Sequence, residues 1–211
     1  MIESIDYAAM ATLLRAAGAV VVAKHEWLGQ LDAYAGDGDH GTTMKRAMGC
    51  IETAIGASAE GDLPALLTDV GWALLGVDGG STGPLLGMLF NGLAEAAAGQ
   101  TALDAAGLAT AFEAGLAQVC KQTKAQPGDK TMMDALVPAV QALRSAADGG
   151  QSVAQALADA ADAAEAGATA TTDMQAKFGR ARNLGERSKG SPDAGATSLS
   201  LIFRAFAEAA A

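Results

Sequence analysis

The sequence predicts an all-α fold, an antiparallel bundle of about eight helices, and three observations carry that expectation. Half of the residues are apolar, but most of these are alanine and leucine, and aromatics make up only 4%. β-Branched residues do not gather into alternating runs, so no strand has a pattern to form from. Apolar positions recur instead every three, four and seven residues, the period of one helix face.

A first helix is expected over residues 4–34, where Met10, Leu14, Ala17, Val21, Leu28 and Leu31 share a face. The same stepping predicts helices near 42–57, 63–76, 84–98 and 104–122, the last with the stripe Leu108, Phe112, Leu116 and Val119. Three more follow near 131–147, 151–176 and 195–209, closing on Leu199, Ile202 and Phe206. The alanine-rich stretch 151–170 carries its acids on one side and reads as a solvated helix without chemistry. A length of 211 residues suits one domain, 1–211, with a sizeable core.

Glycine-bearing breaks interrupt the pattern at AGDGDHG (35–41), VDGGSTG (77–83), KAQPGDK (124–130) and FGRARNLGERSKGSPDAG (178–195). Amphipathic helices joined by short connections pack as antiparallel neighbours, so successive loops alternate between two ends of the bundle. These breaks follow the first, third, fifth and seventh predicted helices and should share one end.

Net charge is −10, which opposes nucleic-acid binding. Cys50 and Cys120 form no CxxC pair and read as free thiols. The first ten residues carry acids where a signal peptide carries bases, and no apolar run approaches the roughly 20 residues of a membrane span. A cytoplasmic protein that enters no membrane is expected.

Asp32, Asp37 and Asp39 place three carboxylates within eight residues, beside Gly36, Gly38 and Gly41. Such acids repel one another unless a cation lies between them, and oxygen-only ligands favour magnesium, manganese or calcium over zinc. Helix-capping aspartates are the bland alternative. The glycines match GxGxxG, but a helix precedes them where a dinucleotide fold needs a strand. The run from Asp37 also starts like a calcium loop, yet its twelfth position is Met48 where that loop has glutamate. His40, next to the acids, is placed to donate to a phosphate oxygen.

DGGSTGP (78–84) offers consecutive N–H groups, the hydroxyls of Ser81 and Thr82, and Pro84 in a first helical turn, a combination that suits an anion. No GxxxxGK[ST] is present, so phosphate must be held without a P-loop. Five of the 14 lysines and arginines, Lys177, Arg180, Arg182, Arg187 and Lys189, cluster in 177–189, an anion site or a docking patch. In GDKTMMDAL (128–136), Thr131 can cap a helix, and Met132 or Met133 can lie on a flat base.

Taken in order, AGDGDHGTTM, GGSTGPLLG, PGDKTMMD and GRARNLGERSKGSPDAGATS resemble the L subunits of bacterial dihydroxyacetone kinases over essentially the whole chain. The resemblance implies an eight-helix barrel with an adenine nucleotide, ADP or ATP, at one end. It also implies two magnesium ions bridged by Asp32, Asp37 and Asp39. Nucleotide contacts carry over to His40, Gly41, Thr42, Thr43, Ser81, Thr82, Met132, Arg180, Asp193, Ala194 and Gly195, with Arg180 also the catalytic contact on developing charge. Thr43 stands where the family has Asn, Ala194 where the run is usually Asp-Pro-Gly, and Thr123, where glycine is common, stays outside the expected contacts.

The implied activity is transfer of the γ-phosphoryl of ATP to dihydroxyacetone held on a separate K subunit. Bound ADP would be rephosphorylated in place by a phosphotransferase-system M subunit. Exchange with free ATP, another ketose such as erythrulose, and a homodimer stay open. A non-catalytic helical adaptor with a structural nucleotide is the rival class, and loss of a first-loop aspartate would favour it; all three are present.

Overall fold

The structure, a computed structural model, describes residues 2–211. Among these residues the chain forms α1 (Tyr7–Ala23), α2 (His25–Ala35), α3 (His40–Ala57), α4 (Leu63–Leu75) and α5 (Thr82–Ala96). There follow α6 (Ala105–Gln122), α7 (Met133–Asp148), α8 (Val153–Ala170) and α9 (Ala194–Ala210). From α3 onward each helix packs on the next, α9 returns to α1, and α1 meets α3, which closes a ring of eight helices. This is the all-α antiparallel arrangement that the periodicity predicts, in the barrel form that the resemblance implies. The ninth helix, α2, lies outside the ring against α3 and α9.

The single helix expected over 4–34 is two, because the chain bends by 62° between Ala23 and His25. The His25 ring Nδ1 lies 2.7 Å from the Val22 carbonyl and donates to it, replacing the N–H that a continuing helix would supply. The bend swings α2, with Asp32 near its end, away from the axis of α1. The chain also starts differently from expectation. Ile5–Asp6 (β1) pairs antiparallel with Ala102–Leu103 (β2), where no strand was predicted, and α1 begins only after Asp6.

The helix expected to reach residue 176 stops at Ala170, where Thr171 turns its hydroxyl back to the Ala168 carbonyl at 2.5 Å and opens a short 3-10 turn, Thr171–Asp173. Nor is this helix merely solvated. Ala156, Ala160, Ala161, Ala164 and Ala168 are buried against α7 and α9, while Asp162 and Glu165 face outward and accept from Arg204.

Apolar side chains fill the ring, among them Phe112, Phe203 and Phe206, whose rings are 5.4 and 6.4 Å apart centre to centre in successive pairs. Small residues let neighbouring helices approach. A Cβ on Gly92 of α5 would fall 2.5 Å from Gly115 Cα of α6. Among the described residues no single helix is long and apolar enough to cross a membrane. Because α5 and α6 touch backbone to backbone, Gly92→Ala is expected to lower the unfolding free energy by about 1–3 kcal/mol in a urea titration. Unchanged stability would mean that the two helices separate at no cost.

Candidate functional site

The starts of α3, α5, α7 and α9 and the loops before them line one cavity of about 490 Å³. Antiparallel order thus brings the glycine-bearing breaks to one end of the barrel. It also aims four helix N-termini at one space, each carrying a partial positive charge.

The capping pattern differs between the two ends. At the far end Asp6, Asp62, Asp104 and Ser152 accept from the Ala9, Ala65, Gly107 and Gln155 N–H groups and so cap α1, α4, α6 and α8. At the cavity only Asp193 caps its own helix, accepting from the Ala196 N–H at 2.8 Å. The N-cap residues of α3, α5 and α7, which are Asp39, Ser81 and Met132, make no such bond.

Asp32 on the last turn of α2 and Asp37 and Asp39 in the following loop each present a carboxylate oxygen, and these oxygens lie within 4.8 Å of one another. An all-oxygen cluster of three negative groups fits a hard divalent cation. Arg180, from the loop on the opposite side, donates to Asp37 and bridges the cavity mouth. The Tyr34 hydroxyl donates to the Lys189 carbonyl at 2.7 Å, and Lys177 pairs with Asp129 at 2.8 Å. The segment 177–189 is thereby fastened at both ends.

His40 is buried between two helix starts. Ser198 donates its hydroxyl to the Gly195 carbonyl at 3.0 Å, so the His40 Nε2–H donates to Ser198 Oγ at 3.0 Å. That leaves Nδ1 to accept from Thr82 Oγ1 at 3.3 Å. Burial pushes the His40 pKa down against the opposing pull of Asp32 and Asp39, which favours the neutral ring required by this arrangement. Both ring nitrogens are therefore engaged, and a phosphate contact from the ring requires one of these bonds to break.

Thr43 lies one turn into α3 and lines the cavity, and its hydroxyl is buried without a hydrogen-bond partner. Gly79, at φ 123°, lets the second loop pass over it, since a Cβ there would come 2.3 Å from Thr43 Oγ1. A buried orphan hydroxyl on the wall of a cavity is a group for a ligand to satisfy.

Asp32, Asp37, Asp39, His40, Thr43, Ser81, Thr82, Met132, Arg180, Asp193, Ala194 and Gly195 all line the cavity. Two expected residues are not in its wall, and only their backbone N–H groups in the first turn of α3 are directed toward that end. Gly41 packs against α2, where a Cβ would fall 1.8 Å from the His25 carbonyl oxygen, and Thr42 is exposed on the outer side of α3. Helical geometry separates them from their neighbours, because successive residues point about 100° apart. Residues outside the expected set also line the cavity: Tyr34, Thr123, Lys130, Phe178 and Ser198. Ser198 could have been read from its place one turn after Gly195 on the last helix. Tyr34 and Phe178 carry no such signal.

The family described as the DAK2 domain matches residues 34–208. The chain is 38% identical over 193 residues to the PEP-dependent dihydroxyacetone kinase, ADP-binding subunit DhaL, of Escherichia coli (strain K12), covering 92% of each. It is 42% identical over 193 residues to the D-erythrulose kinase of Mycolicibacterium smegmatis, covering 87% of this chain and 32% of that one. The crystal structure of the dihydroxyacetone kinase from C. freundii in complex with AMP-PNP and Mg2+ aligns with a TM-score of 0.75 and 30% identity, over 99% of this chain and 35% of that one. The chain therefore spans nearly all of the E. coli subunit and about a third of the two longer kinases.

Burial, with help from Asp134 and Asp32, pushes the Asp193 carboxyl up to about 6, against the Ala196 N–H and Lys130. The charged form is the costly one in the folded chain. The stability that this group contributes is thus fully present below its ordinary value of 3.8 and is lost as pH rises through about 6. Asp193→Asn keeps a capping acceptor. In metal- and nucleotide-free protein it is expected to raise Tm near pH 7.5, with the advantage vanishing near pH 4. A variant that melts below the parent near pH 7.5 would show that the carboxylate is favoured where it stands.

Proposed function

The chain belongs to the DAK2-domain family, and on that premise we propose that it is the nucleotide-binding subunit of a dihydroxyacetone kinase. In this reading it transfers the γ-phosphoryl of magnesium-bound ATP to a small ketone held by a separate K subunit. The observation that carries the reading is the meeting, in one cavity, of a carboxylate triad with the starts of α3 and α5, whose N-cap side chains make no capping bond. The triad needs cations and the helix ends need an anion, and a magnesium–polyphosphate satisfies both.

Asp32, Asp37 and Asp39 would hold two magnesium ions, which would neutralise charge on the phosphate oxygens. The N–H groups that open α3 and α5, with the Ser81, Thr82 and Thr43 hydroxyls, receive the phosphates. Thr43 gains there the partner it lacks. Met132 and the Asp193–Gly195 turn also bound the cavity, and the adenosine would lie against them. Arg180 has two anions to choose between, Asp37 and the transferring phosphoryl. With a cation held by the triad, Asp37 would compete less for the guanidinium, which would then be free to pair with phosphate. The protein supplies position and charge complementarity, and no side chain acts as a nucleophile.

The E. coli relative is described as PEP-dependent and ADP-binding, which supports a nucleotide that stays bound and is recharged by a phosphotransferase-system M subunit. The M. smegmatis relative is a D-erythrulose kinase at 42% identity, which supports leaving the choice of ketose to the partner. The K subunit would dock over the basic segment. Arg182 and Arg187 are exposed there and form no ion pair among the described residues, in a chain of net charge −10. Free Cys50 and Cys120 suit the cytoplasm.

Mass spectrometry of the denatured protein is expected to release ADP or ATP with about two magnesium ions per chain, and chelation is expected to lower Tm. Asp37→Asn should abolish phosphoryl transfer in the presence of a K subunit while leaving the helical circular dichroism unchanged. Full activity in this variant, or a metal-free protein indifferent to chelator, would reduce the triad to helix caps.

Arg182→Glu combined with Arg187→Glu should weaken K-subunit binding at least tenfold, about 1.4 kcal/mol, mainly through a slower and less salt-sensitive association rate. The bound nucleotide should remain. Parental association kinetics at all salt concentrations would place the docking surface elsewhere.

A further inference from the structure

Lys130 is the one non-glycine residue with positive φ among the described residues, at 59°, a backbone conformation that lysine rarely adopts. Its side chain is also buried, only 5% exposed, yet it has no carboxylate in contact. Instead Nζ donates to the Thr171 carbonyl at 2.5 Å and to the Ser191 carbonyl at 2.6 Å. A strained backbone and a buried ammonium are both unfavourable by themselves, and their coincidence in the cavity wall calls for a compensating role.

The surroundings show what the lysine joins. Its own loop is held rigidly by buried Asp134, which accepts from the Gly128 N–H at 2.5 Å and the Thr131 N–H at 2.7 Å. Thr171 ends α8, and its hydroxyl accepts from the Asp193 N–H at 2.8 Å. Ser191 precedes the cap of α9. One ammonium therefore ties the loop that starts α7 to the segment that starts α9. Between these starts Met132 Cβ lies 3.6 Å from where a Gly195 Cβ would be.

We infer that Lys130 is a positioning residue for the nucleotide site, setting the separation of the α7 and α9 N-termini by holding the Thr171 and Ser191 carbonyls. It acts through Met132 and the Asp193–Gly195 turn. The inference rests on the nucleotide-binding reading above. Asp193, Asp134 and Asp173 face the lysine at longer range, and their charge opposes the fall in its pKa that burial causes. The ammonium form needed for both bonds is supported in this way.

Two variants separate the side chain from the backbone. Lys130→Gly accepts the positive φ without strain but loses the clamp, and Lys130→Met keeps the length and loses the donors. Each is compared with the full-length parent for MgATP and MgADP affinity, for K-subunit-dependent turnover, and for amide exchange across residues 189–196. The expected result is folded protein in which nucleotide binding and KM worsen at least fivefold. Exchange in 189–196 should accelerate, and kcat at saturating nucleotide should stay within about threefold of the parent.

Affinity within fivefold of the parent in a folded variant would overturn the inference. So would a loss confined to kcat. Collapse of helical structure in both variants would also overturn it, by making the lysine a general stabiliser of the barrel. A parent that binds neither nucleotide would instead sink the functional reading itself, and the two failures are thereby distinguished.

Discussion

Charge balance at one end of the barrel governs the rest of this structure. Four helices begin at a common cavity, so their unpaired N–H groups and dipole ends add up to a positive field there. Three aspartates from one helix end and its loop add a compact negative cluster a few ångströms away. Neither is fully balanced within the chain, because the N-cap side chains of α3 and α5 make no capping bond and three carboxylates face one another with only Arg180 paired to them. A ligand that carries both signs completes the arrangement.

The same four-helix starts at the far end provide an internal control. There Asp6, Asp62, Asp104 and Ser152 do what N-cap residues ordinarily do, and the helix starts are satisfied within the chain. At the cavity, hydroxyl and carboxylate residues are just as abundant but are turned to other tasks. Ser81 stays available to the cavity, Thr82 braces His40, Asp39 joins the triad, and the Thr43 hydroxyl is left buried and unpaired. Stability at one end and reactivity at the other therefore follow from how the same residue types are oriented.

The segment from 177 to 189 links the cavity to its surroundings. Tyr34, Asp37 and Asp129 hold it across the mouth through a hydroxyl bond and two ion pairs. The ion pairs are exposed on the basic side, so each contributes little, and salt weakens them further. The segment's exposed arginines, Arg182 and Arg187, form a local positive patch on a chain of net charge −10.

Much of the fold was legible in the sequence because burial in a helical bundle is periodic. Of the predicted stripe, Leu108, Phe112 and Val119 are buried and Leu116 is half-buried, and every predicted helix has a counterpart. The triad and the Gly79–Thr82 loop were legible because a short run of residues holds each of them, whereas the Asp193–Gly195 turn was reached only through the family resemblance. What the sequence could not specify depends on contacts between distant residues. The bend at His25 turns on a ring that reaches a carbonyl, and the burial of Ala156 to Ala168 turns on which helices flank α8. The displacement of Gly41 from the cavity, the brace that His40 makes between Thr82 and Ser198, and the reach of Lys130 to Thr171 and Ser191 exist only once helices far apart in sequence are packed. Local periodicity and loop chemistry thus determined the barrel and its ligand-holding end. Tertiary packing alone decided which polar atoms remain free for a ligand, because a hydrogen bond is spent or spared according to the neighbour that folding brings within about 3 Å.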